Sequence, residues 1–235
     1  MAARRVRDIE YQLLRSDERK TADIIIERDG HVTVRVPEHL SGEEADAVVE
    51  TKRRWIYRNL AEWRDLNVTR LVREWVNGEG FLYLGSSYRL LLVQEQDESV
   101  KLKDGRFCLL RTIVENGGEK TARHAFERFY SGKGLERIRH RVAYFSPKVG
   151  VTPRSIEVKD IGYRWAACTS DGHLSFHWKC MMAPPKVIDY IIVHELCHLH
   201  CRDHTDAFWN EVDKVMPDYY ERKAWLRQNG ASLDL

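Results

Sequence analysis

His194-Glu195-Leu196-Cys197-His198 sits inside the most apolar stretch of the chain, and no other feature limits the fold as strongly. Val187, Ile188, Ile191, Ile192, Leu196 and Leu199 mark a core helix, entered through Pro184-Pro185 and predicted over Lys186 to His200. On that helix the H-E-x-x-H spacing puts two imidazoles on one face, one turn apart, within reach of a single ion. Unpaired imidazoles and a carboxylate are expensive in apolar surroundings, and a metal removes that expense. The fold must therefore build a core around a metal-binding face.

By composition alone, a chance H-E-x-x-H arises in roughly three chains in a hundred. His204 strengthens the case, because the polar turn Cys201-Arg202-Asp203 lets the chain fold back and close a three-ligand site. Three neutral imidazoles leave a fourth position for water, which suits a catalytic Zn2+ rather than a structural one. Zinc lowers the pKa of that water, and Glu195, beside the metal but not on it, can accept its proton and return it to a leaving group. These parts predict a zinc-dependent hydrolase that cleaves peptide bonds. The oxyanion would be met by zinc and one further donor, with His177, His173 and Tyr190 as candidates. His200 projects from the opposite side of the helix and is expected in packing or at the surface. Cys197 is expected in the core, whereas Cys201 rejoins the ligand face if the helix continues through it.

Upstream, Ile24, Ile26, Asp29-Gly30, Val32, Val34 and Val36 read as a hairpin. Ser41-Gly42-Glu43-Glu44 resembles a capping box, starting a long helix to about Val76. Strands are predicted at Phe81 to Leu84, Tyr88 to Val93, Val100 to Leu102 and Phe107 to Val114. Two amphipathic helices follow, around Phe126 to Tyr130 and Leu135 to Phe145, interrupted at Ser131-Gly132-Lys133-Gly134. Short strands at Ser155 to Val158 and Leu174 to Trp178 precede the metal helix, and helices over Asp206 to Val215 and Asp218 to Gln228 come after it. No internal repeat is visible. The expectation is an α+β protein: a mainly antiparallel β region with one long helix over residues 1–118, then a helical core built around the H-E-x-x-H helix over 119–235.

Among 235 residues, Lys+Arg 38 nearly balances Asp+Glu 36, so charge alone suggests no strongly basic nucleic-acid binder. Five cysteines without framework spacing fit a reducing compartment. Arg4, Arg5 and Arg7 are followed by Asp8 and Glu10 instead of an apolar secretory segment. The longest apolar run, Val187 to Val193, contains Asp189. A cytoplasmic protein with no membrane partner is expected.

From Trp165 onward the chain resembles the YgjP-like metallopeptidase family, also called DUF45 and allied to the SprT-like and WLM zincins. The resemblance rests on Ala183-Pro184-Pro185-Lys186-Val187-Ile188-Asp189-Tyr190-Ile191-Ile192-Val193-His194-Glu195-Leu196-Cys197-His198-Leu199, then His204, Phe208-Trp209, Pro217-Asp218-Tyr219 and Trp225-Leu226. Earlier, Lys52-Arg53-Arg54-Trp55-Ile56 and Tyr83-Leu84-Gly85 also fit the family pattern. The resemblance implies a zincin core, metal-ligand roles for His194, His198 and His204, the base role for Glu195, and a peptide or protein substrate. It further implies that the strand before the active helix, Leu174 to Trp178, borders the cleft and pairs with extended substrate. Two departures stand out: Trp165-Ala166-Ala167-Cys168 where the family usually shows Trp-Gly-Ser-Cys, and His177-Trp178 where it shows Asn-Trp.

Two other functions compete. The same zinc and Glu195 could hydrolyse a nucleotide phosphoanhydride, making the protein a phosphohydrolase (pyrophosphatase), although no Walker-type loop is present. Alternatively, the basic face carrying Arg123, Arg128, Lys133, Arg137, Arg139 and Arg141 could hold nucleic acid, the zinc then serving an accessory protein.

Overall fold

Apolar and polar residues alternating near the N-terminus form a four-stranded sheet in the computed structural model, which describes residues 2–17, 19–26, 32–66, 73–162 and 164–235. Strands β1 (Ala2–Val6) and β2 (Ile9–Ser16) make one antiparallel hairpin, and β3 (Asp23–Ile26) with β4 (Val32–Pro37) makes another. Parallel pairing of β2 with β4 joins them in the order β1-β2-β4-β3. The Asp29-Gly30 turn expected in the second hairpin lies outside the described residues. Ile9, Tyr11 and Leu13 turn inward together with Val32, Val34 and Val36.

Helix α1 (Gly42–Thr51) begins at the expected capping box. The Glu44 N–H donates to Ser41 Oγ at 3.2 Å, and the Ser41 N–H donates to Glu44 Oε2 at 2.8 Å. After Lys52 comes α2 (Arg53–Leu66), and Ala45, Val49 and Ile56 complete this core. The single helix expected to reach Val76 is thus two, residues 67–72 lie outside the described set, and 73–76 are not helical. Trp75 explains the last point. Its backbone is left-handed at φ 56, its N–H donates to Glu79 at 2.7 Å, and its ring is buried against Phe81 and Phe126.

The chain divides into two compact units, Met1–Arg70 and Leu71–Leu235, whereas the sequence reading placed a boundary at 118/119. The difference arises because the second sheet shares its core with the metal helix. That sheet contains β5 (Gly80–Tyr83), β6 (Ser86–Val93), β7 (Val100–Lys103) and β8 (Arg106–Leu110), in the order β5-β6-β8-β7. It repeats the first sheet's topology, two antiparallel hairpins joined by a parallel pair. The strand expected to continue to Val114 stops at Leu110, where α3 (Arg111–Val149) starts.

Helix α3 is kinked at Gly118 but runs unbroken through Ser131-Gly132-Lys133-Gly134, correcting the expected interruption. Gly134 is buried, and a Cβ there would stand 3.1 Å from Met181 Cγ and 3.3 Å from Val158 Cγ1. Close packing along Ala122, Phe126, Tyr130, Ile138, Val142 and Phe145 outweighs the roughly 1 kcal/mol propensity cost of each glycine.

A three-stranded sheet follows, from β9 (Ser155–Lys159), β10 (Ala166–Cys168) and β11 (His173–His177), in the order β10-β11-β9. Then come a 3-10 turn (Trp178–Met182), α4 (Pro185–Cys197), α5 (Asp206–Val215) and α6 (Tyr219–Asn229). The Arg141 guanidinium grips Asp189 with two bonds of 2.7 and 2.8 Å, fastening α3 to α4. Among the described residues no helix is long and apolar enough to cross a membrane. No disulfide joins any of the five cysteines.

The β5–β6 turn positions the entry to α4. Leu84 and Gly85 both have positive φ, and their N–H groups donate to the Met181 and Met182 carbonyls at 2.7 and 3.1 Å. A Cβ on Gly85 would lie 3.0 Å from Pro184 Cα, the residue capping α4. Gly85→Ala therefore combines left-handed strain with a clash against backbone, and is expected to cost about 1–3 kcal/mol. Thermal unfolding monitored by circular dichroism checks this; stability within about 0.5 kcal/mol of wild type would refute it.

Candidate metal centre

Pro185 at the first turn of α4, where its missing N–H costs nothing, launches a helix whose apolar faces are fully used. His194 and His198, one turn apart, share the remaining face. Beyond Cys197 the helix tightens, with Leu199 N–H donating to Leu196 O and His200 N–H to Cys197 O. The chain then turns back and delivers His204 just ahead of α5. His194 Nε2 lies 3.1 Å from His198 Nε2 and 3.0 Å from His204 Nε2. The helix-plus-turn geometry expected from the spacing brings all three together, and the ligand atoms lie within 4.8 Å of one another.

The donor set fits a cation. His198 Nδ1 lies 3.1 Å from the Cys201 carbonyl, which can only accept, so Nδ1 carries the proton and Nε2 presents its lone pair to the other rings. Burial depresses the pKa of all three histidines, His194 most of all, and keeps them neutral. Converging lone pairs repel unless a positive ion lies between them. The nitrogen separations are close to the ~3.3 Å edge of a tetrahedron with zinc–nitrogen bonds of about 2.0 Å. Phe208 packs 4.5 Å from His198, and Trp209 lies 5.6 Å from His204 with planes 22° apart, holding the rings in place.

Glu195 is only 6% exposed, and burial pushes its pKa up to about 8 against the opposing charge of Arg164. A dication at the focus of the three nitrogens would reverse that shift and return the carboxylate form. Arg164 escaped the sequence reading, since it precedes β10 and only tertiary packing places its charge near Glu195.

The three candidate oxyanion donors separate. Tyr190 lies 5.8 Å from His194, and burial together with the Glu195 charge raises its pKa, so its phenol stays protonated. His177 is buried: its Nδ1 accepts the Lys179 N–H at 3.1 Å, and its Nε2 lies 3.4 Å from Asp160. His173 contacts Ser155 and pairs with Asp171 at 3.0 Å. His200 contacts the Val149 carbonyl at 2.9 Å and braces α3, as a packing histidine should. Cys197 is buried, and Cys201 follows the end of α4, contributing its carbonyl rather than its thiol.

The expected substrate-bordering strand requires correction. β11 is the middle strand of its sheet, hydrogen-bonded on both sides, so it has no free edge to offer. The outer strand on the α4 side is β10, which carries Ala166, Ala167 and Cys168. Burial and the nearby Glu195 charge push the Cys168 thiol up to about 11, so it is no nucleophile. The basic face of α3 is partly consumed by structure, because Arg123 pairs with Asp234 at 3.3 Å and Arg141 with Asp189.

The family description "YgjP-like, metallopeptidase domain" matches residues 20–229 of the chain. Among solved structures, the metallopeptidase zymogen of Pyrococcus abyssi abylysin is similar at 20% identity and a TM-score of 0.35, over 37% of this chain and 89% of that one. No curated protein matches the chain.

Proposed function

The chain belongs to the family of YgjP-like metallopeptidase domains, and from that membership we propose that it is a zinc-dependent peptidase, with His194, His198 and His204 as ligands and Glu195 as general base. The observation that carries this reading is the convergence of three neutral Nε2 atoms beside a buried carboxylate on the same helix. Three nitrogen ligands with no carboxylate among them suit zinc better than magnesium or calcium.

Bound there, zinc would act as a Lewis acid, polarising the scissile carbonyl and lowering the pKa of water. Glu195 takes the proton of the attacking water and delivers it to the leaving nitrogen. The protonated Tyr190 phenol donates to the oxyanion that develops on the carbonyl. Arg164 keeps Glu195 from being wholly neutralised by its burial. The outer edge of β10 offers backbone groups to an extended peptide, and Ala166 and Ala167 leave that edge uncrowded.

The test is metal analysis combined with a peptide library and a panel of nucleoside triphosphates. Purified protein is expected to carry about one zinc per chain, and chelation is expected to abolish peptide cleavage until zinc is restored. Chelator-resistant cleavage would sink the metal assignment. Nucleotide hydrolysis without peptide cleavage would replace the peptidase reading by the phosphohydrolase one.

A further inference from the structure

Lys223 is a cation beside the ligand set for which peptide hydrolysis itself has no use. It lies on α6 with Nζ 3.9 Å from the centroid of the Trp209 ring. Trp209 in turn lies 5.6 Å from His204 and 5.8 Å from His194, so a single indole separates the ammonium from two metal ligands. The Lys223 charge acts on both rings, lowering their proton affinity. Tyr219 stacks on Trp209 at 5.4 Å and 16°, and fixes the surface on which the lysine rests.

Arg222, the preceding residue, pairs with Asp218 at 2.8 Å, and the charge of Arg227 acts on Lys223. Among the described residues no carboxylate pairs with Lys223. Asp203 acts on His198 and His204 but makes no ion pair with it. Lys223 is exposed, and its partial desolvation together with the charge of Arg227 lowers its own pKa. A metal would add positive charge to a site already flanked by Lys223 and Arg164. A cation in that position, with no carboxylate partner among the described residues, attracts an anion that arrives with the substrate.

We propose that Lys223 selects peptides carrying a carboxylate close to the scissile bond, either an acidic side chain or a free C-terminus. This rests on the peptidase reading. Trp209 holds the ammonium in place beforehand, so recognition requires little reordering.

The experiment measures binding by calorimetry, using the zinc-loaded Glu195→Gln protein so that no probe is consumed. The probes are acetylated, amidated, alanine-rich hexapeptides with a central Glu or Gln, and the Gln peptide with its C-terminus free. The Glu peptide or the free-terminus peptide is expected to bind about tenfold tighter than the amidated Gln peptide. Whichever does identifies the source of the carboxylate. Adding Lys223→Met or Lys223→Gln should erase that preference, leave affinity for the amidated Gln peptide unchanged and keep zinc at about one equivalent, while Lys223→Arg should retain the preference. Equal binding of all three peptides, or a preference that survives loss of the lysine, overturns the proposal alone. Failure of every peptide to bind overturns the peptidase reading and this inference with it.

Discussion

Glu195→Gln is expected to keep zinc at about one equivalent per chain and to lose peptide hydrolysis by about 10²–10⁴-fold, the usual contribution of a positioned general base. Gln has nearly the shape of Glu, so α4 around Leu196 and Cys197 stays packed and the neighbouring histidines keep their places. Only the proton-accepting ability is removed. Because the native carboxylate is disfavoured by burial, with its pKa pushed up to about 8, the amide brings no new desolvation penalty, and metal-free thermal stability should not fall. Parallel measurement of zinc content, melting temperature and kcat distinguishes the outcomes. Activity near wild type would remove Glu195 from the mechanism. Loss of zinc would make it a residue that supports the ligands.

Phe107→Ala is expected to cause the largest loss of stability in the unit that carries the metal centre, about 3–5 kcal/mol. Phe107 is fully buried and meets Phe81, Tyr83, Tyr88, Phe126, Phe129 and Tyr130 at centroid distances of 5.1 to 6.4 Å, tilted or edge-on. Truncation removes the area of one aromatic ring and the edge-to-face attractions, and leaves a cavity walled by rings on three elements that cannot easily collapse. For a unit of this size the loss corresponds to a melting temperature lower by on the order of 10 °C. Near-UV circular dichroism of the full chain reports the change, since the altered packing is aromatic. A loss below about 1 kcal/mol would show that this cluster is not the centre of the core. The second sheet also holds the start of α4 through Leu84 and Gly85, so zinc affinity is expected to weaken alongside stability.

The candidate metal centre is legible in the sequence because most of it is local. His194, Glu195 and His198 lie within about one turn of helix, and that helix has a proline start and apolar signals of its own. The helices Asp206–Val215 and Tyr219–Asn229 were readable for the same reason, with Pro217 and Asn229-Gly230 marking their limits. Glycine-based reasoning failed at Ser131-Gly132-Lys133-Gly134, where propensity costs were outweighed by the contact of Gly134 with Met181 and Val158. The repeated strand topology was invisible, because its defining feature is the parallel pairing of β2 with β4 and of β6 with β8. Each joins segments from separate hairpins and leaves no spacing signal.

Sequence by itself determined the family and put His194, His198 and Glu195 on one helix, with His204 after the turn that follows. Periodicity and a short motif require only that nearby residues share a helix face or a following turn. Tertiary structure alone decided that β11 is paired on both sides while β10, among the described residues, is an outer strand, that His177 and His173 contact Asp160 and Asp171, and that the Arg164 charge acts on Glu195 and the Lys223 charge on His194 and His204. Those outcomes depend on which distant segments pack together. The free energy of such packing is set by burial and charge across the whole unit, not by the spacing of residues along any one stretch.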